Sequence, residues 1–306
     1  MAVPPSQTLT GGAAGDAALA LLLADPFRLA RPAHQTLPFI FASPHSGRTY
    51  PGSLLWASRL DALTLRRSED AFVDELFEPV VAMGAPLIAA RFPRAYCDAN
   101  RAPGELDTGM FAGPLGVPVD SPSPRVVAGL GMIPRIVRDG AEIYAAKLAP
   151  GDADMRLKFL YRPYHAALSA LVDETLARFG VAIVVDCHSM PSALSVPDIV
   201  LGDRFGASAA ASLIDATHHA FAGSGFSLAR NAPYAGGYTT MLHGKPEAGC
   251  HALQIEINRQ LYLHEDSITR RSGFESFKAR LMLALSKLTA LDVSPLRRRG
   301  LPQAAE

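Results

Sequence analysis

Val181-Ala182-Ile183-Val184-Val185-Asp186-Cys187-His188-Ser189 is the stretch that decides the fold class. Five apolar residues in a row, directly after Gly180, read as a buried strand. That strand delivers an acid, a thiol, an imidazole and a hydroxyl at its carboxyl side, where open α/β sheets bind ligands. Working outward, Leu37-Pro38-Phe39-Ile40-Phe41-Ala42 repeats the design and runs into the loop Ser43-Pro44-His45-Ser46-Gly47. Leu87-Ile88-Ala89-Ala90 is strand-like and leads to Asp98-Ala99-Asn100-Arg101. Between these runs, Ser68 is a good N-cap for a helix whose inward stripe is Val73, Leu76, Phe77, Val80 and Val81, ending at Gly84. Helical periodicity also covers Tyr161 to Phe179 (with Gly180 at C′), Ala207 to Phe221, and roughly Phe274 to Leu291. His251 to Asn258 reads as a further strand. The alternation predicts an α/β fold, a mostly parallel or mixed central sheet flanked by helices.

With 306 residues, a single large domain with loose ends is expected. Its catalytic core is placed at 37–292, after a loose leader at 1–36 with one short helix and before a polar tail at 293–306. Twenty-nine basic residues balance twenty-nine acidic ones, so no global field favours nucleic acid or an anionic membrane. The basic cluster Arg297-Arg298-Arg299 sits in the tail and reads as solvated. Cys97, Cys187 and Cys250 are widely spaced and odd in number, which suits reduced thiols in a cytoplasmic protein. The apolar stretch from Ala17 to Ala24 is too short for a membrane span and lacks a preceding basic region. The sequence is silent on oligomeric state.

The chemistry starts from His45 and His188, both in short loops at strand ends beside small residues. A catalytic zinc takes three protein ligands, often two His and one carboxylate, and keeps a fourth position for water. Glu69 or Asp70 would supply the carboxylate, since both lie near the inward face of the helix after Ser68; helix-dipole preference alone would also put acids there. In Ala252-Leu253-Gln254-Ile255-Glu256-Ile257-Asn258, period two sets Gln254, Glu256 and Asn258 on one face. A carboxylate there is costly to bury unless paired or functional, and beside a zinc it can accept a proton from water. Asn100 and Arg101 form a pair suited to gripping a carboxylate, and Asp98 could orient Arg101 or a metal-binding His. Ser46 and Ser189 lie outside any G-x-S-x-G elbow, and no nucleotide-binding or HExxH motif is present.

Six segments occur in the order of a known family. They are Pro44-His45-Ser46-Gly47; Asp70 with Val73-Asp74-Glu75-Leu76; Asp98-Ala99-Asn100-Arg101; Arg162-Pro163-Tyr164-His165; Asp186-Cys187-His188-Ser189-Met190; and Ala252 to Arg259. Across roughly residues 38–264 the chain resembles the N-formylglutamate amidohydrolase family, which is similar to zinc carboxypeptidases and aspartoacylases. The resemblance implies a zinc-carboxypeptidase-like (phosphorylase/hydrolase-like) fold. It also implies hydrolysis of N-formyl-L-glutamate to formate and L-glutamate, the last step of one histidine-degradation route. It assigns Zn2+, or another divalent transition metal, to His45 and His188. Where the carboxypeptidase pattern has a carboxylate three residues after the first His, this chain has Arg48, and Asp70 looks like the substitute.

Carried over in the same way, Glu256 is the base and Arg101 a further catalytic residue. Asn100 and Arg101 bind the substrate carboxylate; apart from the resemblance, a dianionic substrate wants a second cation, and Arg230, shortly before Gly236-Gly237-Tyr238, is the candidate to meet the oxyanion or the second carboxylate. His165 is either a support behind the site or a core histidine, the latter preferred, and Gly236-Gly237 is either a lid or a plain turn. The implied partner is a small anionic N-acyl amino acid, with no nucleic acid and no membrane. Other N-acyl amino acids or small amides, and a non-catalytic binding protein on the same fold, stand as alternatives.

Overall fold

The structure, a computed structural model, describes residues 16–137, 140–192 and 196–297. Seven strands form the central sheet in the order β1-β3-β2-β4-β7-β5-β6: β1 Phe27–Ala30, β2 Phe39–Ser43, β3 Leu87–Ala90, β4 Ala182–Met190, β5 Ile199–Gly202, β6 Leu228–Arg230 and β7 Cys250–Asn258. The central four, β3, β2, β4 and β7, run parallel. β1 joins one edge antiparallel to β3, and β5 with its parallel neighbour β6 joins the other antiparallel to β7. The expected single-domain, mostly parallel architecture is what the chain adopts.

Side chains alternate across the sheet, and each face has its own core. Phe39, Phe41, Ile183, Val185, Leu253 and Ile255 meet helices Val73–Phe77, Ala211–Ala222 and Phe274–Thr289 on one side. Ile40, Ala42, Val184 and Ala252 meet helices Ala17–Ala24 and Arg162–Phe179 on the other. The second face turns polar toward its carboxyl end, where Asp186 and His188 follow Val184 in step and Gln254 and Glu256 follow Ala252.

Four expectations are corrected. β4 does not stop at Val185: its ladder with β7 continues through Asp186↔Gln254 and His188↔Glu256 to Met190↔Asn258, so His188 is strand-borne. Ser68 does not cap a helix; its hydroxyl donates to Leu65 O, and Asp70 N donates to His45 O at 3.0 Å. Phe72 then takes a left-handed conformation (φ 64°), and helices begin only at Val73–Phe77 and, past Pro79, Val80–Met83. Proline lacks the N–H that would continue the first into the second. Asp70 therefore sits in a turn, not on a helix. Last, residues 16–36 are not loose, because they carry the Ala17–Ala24 helix and edge strand β1. The leader before residue 16 and the tail from residue 298, with Arg298 and Arg299, lie outside the described residues. Among the described residues, no helix is long and apolar enough to cross a membrane.

Candidate metal centre

His45, Asp70 and His188 arrive from three places: the loop after β2, the turn before the Val73–Phe77 helix, and β4. All three are buried, and one ligand atom from each lies within 4.8 Å of the others. Both imidazoles turn Nδ1 toward one carboxylate oxygen. Asp70 Oδ2 stands 2.9 Å from His188 Nδ1 and 3.4 Å from His45 Nδ1. The far nitrogens meet other carboxylates, His45 Nε2 at 2.7 Å from Asp98 Oδ1 and His188 Nε2 at 3.0 Å from Asp186 Oδ2. A metal-ligating histidine needs this backing, because donating one N–H to a carboxylate fixes the tautomer and frees the other lone pair. His45 Nδ1 is buried with no hydrogen-bond partner among the described residues, as expected of an atom reserved for a cation. Ligands about 2.0–2.1 Å from a tetrahedral zinc stand roughly 3.3 Å apart, close to the Asp70–His45 spacing. The donor set, two nitrogens and one oxygen, suits zinc or a neighbouring divalent ion.

The charges interlock. Burial alone would raise the Asp70 carboxyl, but the hydrogen bond from His188 and the nearness of both imidazoles hold it well below the usual range. Asp98 behaves likewise: burial opposes its charge, and His45, Arg94 and Arg101 override it. Burial pushes His188 down, yet Asp186 and Asp70 carry it well above its ordinary value. Metal binding must displace that proton, so loading releases acid.

Asp70 is itself braced. Its Oδ1 accepts from Ser189 Oγ at 3.1 Å and from Arg259 Nη2 at 3.0 Å. Arg259 also donates to Ser189 Oγ, Arg67 O and Glu69 O, so its guanidinium is spent on holding this turn. Glu69 is buried too, but its carboxylate is taken by Tyr50 Oη at 2.7 Å and Arg66 Nε at 3.0 Å. Between the two acids left open by the sequence, the geometry selects Asp70.

Glu256 pairs in register with His188 and projects from the same face of the sheet. Gln254 Nε2 donates to its Oε1 at 2.7 Å. Burial, reinforced by Asp70 and opposed by His188, Arg94 and Arg259, raises its carboxyl to about 7.

The Asn100–Arg101 pair is placed differently from the expectation. Asn100 Nδ2 donates to Asp186 Oδ2 at 3.0 Å, and Asn100 Oδ1 accepts from Thr239 N at 2.8 Å. Both ends of the amide bond protein, so Asn100 braces the histidine side. Gly237 makes room for it: a Cβ there would lie 2.4 Å from Asn100 Nδ2. The Gly-rich stretch thus allows a close approach. Arg101 Nε and Nη1 bond Leu130 O and Asn100 O, which leaves Nη2 without a bond among the described residues.

Arg230 is absent from the site. It ends edge strand β6, is exposed, and pairs with Asp215 of the Ala211–Ala222 helix at 2.7 Å. A three-residue edge strand packed on an outer helix turns it away from the cleft. A cation that does act on the cluster is Arg94, which sequence reasoning did not single out. Arg94 Nε binds Asp98 Oδ2 at 3.0 Å, its charge acts on Asp70 and Glu256, and its terminal amino groups make no bond among the described residues. Its one sequence signal was the four-residue spacing to Asp98, which means little outside a helix. Asp186 and Arg259 stood in quoted motifs, but nothing local marked their roles.

The family model for N-formylglutamate amidohydrolase matches residues 37–263. Among curated proteins, the chain is 27% identical over 238 residues to an N-formylglutamate deformylase of Pseudomonas putida, covering 75% of this chain and 83% of that protein. It is 28% identical over 244 residues to one of Pseudomonas aeruginosa, covering 76% and 84%. The crystal structure of an N-formylglutamate amidohydrolase from Ralstonia eutropha JMP134 superposes with a TM-score of 0.80 at 35% identity, covering 90% of this chain and 99% of that one. Since the family model spans well over half of its residues, this chain belongs to the N-formylglutamate amidohydrolase family.

Proposed function

We infer that this hydrolase cleaves the amide of a small anionic N-acyl amino acid, N-formyl-L-glutamate first, with a divalent transition metal, zinc foremost, held by His45, Asp70 and His188. One observation carries the reading. Two histidines backed by Asp98 and Asp186 aim Nδ1 at Asp70 Oδ2, with Glu256 in register beside one of them. When bound, such an ion supplies Lewis acidity and makes water a competent nucleophile near neutral pH.

The chain's own groups do the rest. Glu256, with its carboxyl near 7, takes a proton from the attacking water and returns it to the departing amine nitrogen. Gln254 occupies one Glu256 oxygen and leaves the other for that exchange. Arg94 offers two uncommitted amino groups beside Glu256, and Arg101 offers Nη2. We assign these to the anionic oxygens of the substrate and of the tetrahedral adduct, where preorganised cations act most strongly. The identity of the relatives supports formylglutamate as substrate.

The deciding experiment combines elemental analysis of the purified protein with a panel of N-formyl and N-acetyl amino acids. Bound transition metal and preferred turnover of N-formyl-L-glutamate are expected. Preference for another acyl group would reassign the substrate, and no metal even after zinc reconstitution would refute the metal centre.

A further inference from the structure

Arg162-Pro163-Tyr164-His165 is the family segment to which the chemistry above gives no part, and the sequence left His165 between a support behind the site and a core histidine, with the core reading preferred. The structure ties it to the site. Just before the Arg162–Phe179 helix, Leu157–Tyr161 form a π-helical turn, a feature common beside functional sites. Four residues apart, Tyr161 and His165 face the same way, with ring centroids 4.3 Å apart. Tyr161 Oη donates to Arg101 O at 2.7 Å, and His165 Nε2 contacts Ala99 O at 2.9 Å. A carbonyl can only accept, so Nε2 carries the hydrogen and His165 is the donor. Among the described residues His165 makes no other hydrogen bond, and its buried Nδ1 has no partner. Burial lowers its pKa to about 4, so it is neutral at working pH and its role does not change there.

The target is the turn that carries Asp98, Asn100 and Arg101. Its remaining carbonyl, Asn100 O, accepts from Tyr238 N and Arg101 Nη1, so three successive carbonyls each have a donor. We propose that His165 is a positioning residue: by donating to Ala99 O, with Tyr161 on Arg101 O, it fixes the 98–101 turn and so the angle of His45 and the reach of Arg101. A phenylalanine would fill the same space without the donor. The proposal rests on the metal-centre reading for its meaning, but the clamp itself can be measured without metal or substrate.

The test compares His165→Phe, His165→Gln and Tyr161→Phe. Hydrogen–deuterium exchange is read over residues 96–103 in metal-free protein, zinc affinity by chelator competition at 25 °C, and kcat and KM with N-formyl-L-glutamate. For His165→Phe the expected result is faster exchange in that segment and zinc binding weakened about tenfold, the size of losing one buried donor. His165→Gln, which keeps an N–H near the same position, recovers most of both. Wild-type exchange and zinc affinity in His165→Phe, with only Tm lowered, would overturn the proposal. So would equal damage from Gln and Phe. If His165→Phe does not fold, Tyr161→Phe decides, since it removes one hydroxyl and should loosen the same segment; unchanged exchange there refutes the clamp. A wild-type protein that binds no zinc would refute the metal centre while the exchange measurement still judges the clamp.

Discussion

The site has a strand-borne half and a loop-borne half, and they are held by different means. Asp186, His188, Gln254 and Glu256 sit on β4 and β7, where nine consecutive residue pairs fix their relative positions. His45, Asp70, Arg94, Asp98 and Arg101 sit on loops and turns; Arg94 is tied locally to Asp98, and the others are placed by side-chain bonds reaching across the molecule, such as Arg259 to Asp70 and His165 to Ala99. A residue on the ladder can change its chemistry without losing its place. A residue on the loops depends on neighbours that never touch the reaction.

The largest effect should come from the strand-borne half. Glu256→Gln is nearly isosteric and should lower kcat about 10²- to 10⁴-fold, the range for a lost general base, while metal content by elemental analysis stays at wild-type level. Its carboxyl is raised to about 7 and must be ionised to accept a proton, so wild-type kcat/KM should fall about tenfold per pH unit as pH drops below that value. A flat profile from pH 5 to 8 would show that Glu256 is not the base.

Next in size is a brace of the loop-borne half. Arg259→Met removes the cation from buried Asp70 and should cost about 3–5 kcal/mol in denaturant unfolding of the metal-free protein, as for a broken buried ion pair. An intact Cm would mean that the turn holds itself and the contrast between the halves fails.

Asp98→Asn should act more narrowly. It keeps the shape but weakens the backing of His45, and zinc affinity by chelator competition should drop about 10- to 100-fold with little change in Tm. Asp186→Asn on the strand side should cost less affinity, because the ladder keeps His188 in place. Equal losses would erase the distinction.

Smallest of all, Arg230→Ala should leave kcat/KM within error. Its pair with Asp215 is exposed and worth at most about 1 kcal/mol. A tenfold loss would return Arg230 to the site.

That His45 and His188 meet was legible because each follows an apolar run and such runs place their carboxyl ends together, while Glu256 stood out as a carboxylate in an alternating apolar strand. The parallel centre of the sheet was legible for the same reason: Phe39–Ala42, Leu87–Ala90 and Val181–Val185 are continuous and apolar, and Leu253, Ile255 and Ile257 alternate. The short strands β1, β5 and β6, at the sheet edges or next to one, carry too few residues to show a period, so they went unseen. Asp70 over Glu69, Arg94 over Arg230, and the bracing role of Asn100 were decided only by tertiary structure. A sequence shows which groups are costly to bury but not which partner offsets that cost, and those partners lie 86 residues away for Asn100 and Asp186 and 189 for Asp70 and Arg259. Which stretches become buried strands follows from local hydrophobic pattern, whereas their order in the sheet and the aim of a buried guanidinium or amide follow from what the folded chain brings within about 3 Å.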